Sequence, residues 1–113
     1  MTSHHLSRKD RRVPLDCAVY YTNGRFHASG VLDNLSASGG CVQGTEPVCP
    51  GMRLRLLLVP LRHDGAIVVR DASVRWSTGA AFGIEIEELS LHSQMRLSQL
   101  MMKERCELFA SSN

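Results

Sequence analysis

The feature that most constrains this chain is strict apolar/polar alternation, interrupted at short intervals by turn-forming residues. Leu15, Cys17, Val19 and Tyr21 alternate with Asp16, Ala18 and Tyr20, the period-two pattern of a half-buried strand. Asn23-Gly24 follows, a strong local hairpin signal, and the return strand runs through Phe26, Ala28 and Gly30 to Val31 and Leu32. Residues 33–40, Asp-Asn-Leu-Ser-Ala-Ser-Gly-Gly, read as a loop, too polar for a core strand and too glycine-rich for a helix. Cys41-Val42 opens a short third strand and residues 53–61 form a leucine-rich fourth. Pro60 places the end of that fourth strand at a sheet edge or bulge. Residues 66–76 make a fifth strand, and Phe82, Ile84 and Ile86, alternating with Gly83, Glu85 and Glu87, a sixth. Short strands with frequent turns and no βαβ alternation favour a barrel or sandwich. Phe26, Trp76 and Phe82 read as internal.

The pattern changes at Ser90, which can cap a helix; residues 91–109 contain no glycine or proline,. At about 100° per residue, Leu91, Met95, Met102, Cys106 and Phe109 fall on one stripe, which reads as the core face. Leu97, Leu100, Met101 and Leu108 form a second arc, either a widening of the core face or a dimer or partner surface. The reading is therefore mainly β: a six-stranded antiparallel barrel over 13–89, a helix over 90–110 across one opening, and an arginine-rich N-terminal arm over 1–12.

Composition narrows the function. At 113 residues with 43% hydrophobic side chains, the chain is sized for one packed domain. The longest apolar run, residues 56–61, is far short of the roughly 20 residues of a membrane span. With no apolar segment behind its N-terminal charges, the chain is expected in the cytoplasm. Cysteines 17, 41, 49 and 106 lack metal-site spacing and read as small buried hydrophobes, and no metal is expected,. Net charge is +2, but residues 1–12 alone carry +3 through Arg8, Lys9, Arg11 and Arg12 against Asp10. Such compact charge suits a small anion better than a long polyanion, and the aromatics are too few for a base-stacking platform. DNA and RNA are not expected partners.

Two local patterns carry the chemistry. Residues 8–12 contain Arg-x-x-x-Arg, and residues 34–39 read Asn-x-Ser-x-x-Gly. The 21 residues between Arg12 and Asn34 suffice for one β-hairpin, which returns the chain to its starting point. The two patterns should therefore form one site. Arginine forks fit phosphate oxygens or the O6 and N7 acceptors of guanine. Asn34 offers a donor and an acceptor, and Ser36 a hydroxyl. Gly39 admits close backbone approach or a positive φ. With no nucleophile beside a base and no paired carboxylates, the site is equipped for recognition and no catalysis is expected.

On these residues the chain resembles the PilZ domains, receptors for cyclic di-GMP whose signature is Arg-x-x-x-Arg followed by Asp/Asn-x-Ser-x-x-Gly. Trp76, the turn at Gly79, Phe82-Gly83-Ile84-Glu85-Ile86 and the terminal helix extend the likeness over residues 7–105. It departs at Asp10, where the family often carries an aromatic. The resemblance implies that Arg8 and Arg12 grip guanine edges and phosphates, that Asn34 and Ser36 hydrogen-bond a guanine on the barrel surface, and that Gly39 shapes the loop beneath. Lys9, Arg11, Gly40 and Trp76 are further candidate contacts. It implies no cofactor besides that ligand and a downstream protein partner. Too few apolar groups precede Val13 to pin the arm, so it is expected to be mobile without ligand and ordered by it, and the second apolar arc leaves a homodimer through the terminal helix as one option. The alternative within the family is a protein–protein adaptor for pilus or motility machinery that binds no nucleotide.

Overall fold

The computed structural model describes residues 13–62 and 65–111, with side chains at 16–62 and 65–103. Strands β1 (Val13–Thr22), β2 (His27–Leu35), β3 (Gly39–Gly44), β4 (Arg53–Pro60), β5 (Ile67–Thr78) and β6 (Ala81–Glu88) precede helix α1 (Leu91–Ser111). All pairings are antiparallel, and the order β1-β2-β3-β6-β5-β4 closes into a barrel through β4–β1. The expected fold is present.

Closure follows from the alternation. From Cys17 on, alternate residues of β1 (Cys17, Val19 and Tyr21) point inward and are buried, as are Leu54, Leu56 and Leu58 on β4. Burying each such side chain contributes about 1.5–3 kcal/mol. The aromatic centre is Tyr21, whose ring lies edge-on to Phe82 at 5.1 Å and to the half-buried Phe26 at 6.0 Å. Its hydroxyl donates to the Glu46 carbonyl (2.7 Å) and accepts from the Glu46 amide (3.0 Å), which removes the penalty of a buried polar group. The first hairpin turns through residues 23–26, where Asn23 Oδ1 accepts from the amides of Arg25 (2.9 Å) and Phe26 (3.3 Å).

Several details depart from the sequence reading. Pro60 ends β4 opposite Cys17 in a closed ladder, not at a sheet edge. β2 runs on to Leu35 and β3 begins at Gly39, so the loop read over 33–40 shrinks to residues 36–38. Trp76 is 45% exposed. Strict alternation would put it inside with Val74, but the register shifts between these two residues, and a bulge sends the succeeding residues to the opposite face. Only Cys17 of the described cysteines is fully buried; Cys41 is half-buried and Cys49 exposed.

The helix reverses its expected orientation. Leu97 and Leu100 are 3% and 4% exposed and join the barrel core, with Met101 packed beside them. Leu91 is 73% exposed, and Met95 and Met102 are more than half exposed. The second arc is thus the core face over its described residues, and it is covered rather than open for dimerisation. The capping expectation stands: Ser90 Oγ accepts from the Ser93 amide at 3.1 Å, and the Ser90 carbonyl accepts from the Gln94 amide at 2.9 Å.

Candidate functional site

The bend at 36–38 is rigidly built. The Ser36 amide (2.8 Å) and its hydroxyl (3.1 Å) both donate to the Gly39 carbonyl, a local closure typical of serine in turns. The Ile86 amide donates to the Ser38 carbonyl at 2.6 Å, tying the bend to β6. Ser36 is fully buried. Its hydroxyl, to which the resemblance assigns a guanine contact, is engaged within the bend.

Gly39 and Gly40 are buried strand residues between β2 and β6. A Cβ on Gly39 would lie 2.1 Å from the Ile84 carbonyl oxygen, and one on Gly40 would lie 2.5 Å from that of Asn34. The positive φ considered for Gly39 is not found. Close strand approach is what demands glycine at both positions.

Asn34 is half-buried on the outward face. The ladder pairs it with Cys41, Cys41 with Gly83, and Gly83 with Trp76. These four residues form a transverse row across β2, β3, β6 and β5, about 14 Å long at the usual strand spacing. The Trp76 indole lies against Gly83, with Nε1 2.1 Å from where a Cβ would stand. Gly83 is itself buried: the indole fills the space a side chain would take there, so the aromatic lies flat against β6 in the same row as Asn34. Alternation marks Gly83 as outward, but only the register shows that it underlies Trp76. Ser38, exposed at the tip of the bend, and Cys41 were not singled out by the sequence reading.

The other half of the expected site, Arg8, Lys9, Arg11 and Arg12, lies outside the described residues. What the structure does give is where β1 begins: Val13 pairs with Leu35 and Pro14 with Asn34. The chain therefore joins the barrel beside Asn34. The same end of the barrel receives α1. A cleft of about 280 Å³ separates Ala37 of the bend and Ile86 of β6 from Gln94, Leu97, Ser98 and Met101 of the helix. No helix among the described residues is long and apolar enough to cross a membrane.

The fold has known counterparts. Bacillus subtilis Inhibitor of motility (MotI/DgrA) superimposes with a TM-score of 0.69 at 18% identity, over 88% of this chain and 52% of that one. The chain thus spans about half the length of that protein. The PilZ domain of CeSA from a cellulose-synthesizing bacterium gives a TM-score of 0.64 at 15% identity, over 82% of this chain and 96% of that domain. No curated protein matches. The PilZ domain profile matches residues 6–103, and with nearly the whole length covered the chain belongs to the PilZ domain family.

Proposed function

We propose that the protein is a cyclic di-GMP receptor that transmits the messenger's level by drawing residues 8–12 over the nucleotide at the Asn34–Trp76 row. PilZ domains are generally binding and effector domains. The observation that carries the reading is the pairing of Pro14 with Asn34; in the chain, the Arg-x-x-x-Arg segment ends at Arg12, two residues before Pro14. Guanidinium forks on one side and an amide on the other match the phosphate oxygens and base edges of a guanine nucleotide. Asn34 supplies the base contact and Trp76 a stacking surface, while Ser36, Gly39 and Gly40 act beneath them as the frame.

Titration calorimetry of the full chain with cyclic di-GMP tests this. Saturable heat is expected, with Arg12→Ala weakening binding by about 1–3 kcal/mol, the range for a bidentate arginine–guanine contact. Trp76 is the sole tryptophan, so its fluorescence should change in the same titration. Absence of saturable heat at high micromolar nucleotide rejects the receptor reading. The adaptor reading would then take its place, favoured by the similarity to a protein described as an inhibitor of motility.

A further inference from the structure

The wall opposite the Asn34–Trp76 row is built differently. Tyr20 on β1 pairs with Leu57 on β4, and Leu57 with Val68 on β5. All three face outward; Tyr20 is 51% and Val68 45% exposed. The next row continues the apolar surface, with Ala18 paired to the exposed Val31 and to Val59. Outward strand positions are ordinarily polar, and a contiguous apolar patch on them marks an interaction surface. One rim is cationic. Thr22 pairs with His27 and with Arg55, and the Arg55 guanidinium makes no hydrogen bond or ion pair among the described residues. Arg70 beyond it has only a 4.0 Å solvent-exposed contact with Glu88.

We propose that this wall is a docking site for a partner protein's amphipathic helix, which seats one large apolar side chain over Leu57 and places a carboxylate on Arg55. Three observations select that occupant. A cleft of about 200 Å³ lies where the patch meets that rim, lined by Tyr20, Thr22, His27, Arg55, Leu57 and Val68. That is smaller than the roughly 300–1,000 Å³ of small-molecule sites and suits a single anchoring side chain of the hot-spot kind. The barrel is closed, so no strand of it offers open backbone groups to an added β-strand, and the partner must engage through side chains, as a helix in a groove does. The cationic rim calls for an acidic residue beside the anchor. The site is separate from the nucleotide row and stands whether or not nucleotide binds.

The test is selection of a displayed library of helical peptides against the full chain. Apolar residues are fixed at i, i+4 and i+7, and their neighbours are randomised. Enrichment of Asp or Glu beside the first apolar residue is expected. The best binder should lose at least about tenfold in affinity with Leu57→Ser, and Arg55→Glu should turn the selection toward Lys and Arg. Both positions are exposed, so melting temperatures confirm that the variants remain folded. No enrichment, or binders indifferent to both substitutions, overturns the proposal. Phosphatidylglycerol vesicles that bind the protein in a Leu57-dependent way would assign the wall to a lipid surface instead. A dimer in sedimentation that Leu57→Ser dissolves would assign it to a second copy. Either result rejects the partner helix.

Discussion

The two walls of this barrel share strands β2 and β5 and one core, yet their outward faces have opposite character. One carries Asn34, Cys41, Gly83 and Trp76 in a row, with the indole of Trp76 laid over the glycine. The other carries Tyr20, Leu57 and Val68, large and apolar, with Arg55 at the rim. A closed ladder satisfies its backbone internally and needs only its inward residues for stability. Outward positions are thereby released to specialise. The difference teaches that the fold and its two surfaces are set by alternate residues of the same strands, and are separable by substitution.

The largest effect should come where the walls are joined. Phe82 is fully buried and meets Tyr21 at the barrel centre. Phe82→Ala should cost about 3–5 kcal/mol in denaturant unfolding, with tryptophan fluorescence and circular dichroism changing together. Separate transitions would mean that the walls do not share one cooperative core.

Next is a substitution aimed at one wall. Gly39→Ala places a methyl against the Ile84 carbonyl, a backbone contact that cannot yield cheaply, so about 1–3 kcal/mol of stability should be lost. The Asn34 side should lose its response to cyclic di-GMP while peptides selected on Leu57 still bind. Loss of both would show the walls to be coupled.

Smaller still is the helix. Removing the Ser90 hydroxyl, which accepts from the Ser93 amide, should cost about 1 kcal/mol of unfolding free energy in Ser90→Ala. The effect should appear at the bend through the shared cleft with α1, and leave the Tyr20–Leu57–Val68 wall untouched.

An effect absent at neutral pH belongs to Cys17. Burial pushes its thiol from 9.0 up to about 11, against a lesser opposing hydrogen bond with the Val59 backbone. The folded state keeps a proton that the unfolded chain releases first. The stability difference is therefore fully present below about pH 9 and is lost as pH rises toward about 11. Comparing urea midpoints of wild type and Cys17→Ala across that window should reveal this limb. Thiol labelling should modify exposed Cys49 well before Cys17.

Much of this was legible in local pattern. Alternation, apolar and β-branched runs and the turn residues between them located all six strands, and the turn chemistry at Asn23 and the cap at Ser90 are where the sequence places them. The limits of the bend were missed because composition describes residues 33–40 as polar and flexible, whereas Leu35 and Gly40 pair as strand. Trp76 was misplaced because one bulge inverts the inside–outside rule beyond it. The helix face was misassigned because two apolar arcs lie on nearly opposite sides of α1, and periodicity reports stripes without saying which one meets the barrel.

By itself, the order of side chains determined a short-stranded antiparallel fold, a terminal helix and the one-hairpin separation between the arginine pair and Asn34. Those are local properties, fixed by the two-residue period of a strand and by the return of a hairpin. Tertiary structure alone decided that the barrel closes β4 onto β1, that Gly83 lies beneath Trp76, that Leu97 and Leu100 face inward, and that Tyr20, Leu57 and Val68 stand together on one wall. Each depends on register between segments distant in the chain. Register is set by the packing of one shared interior, which no single segment contains.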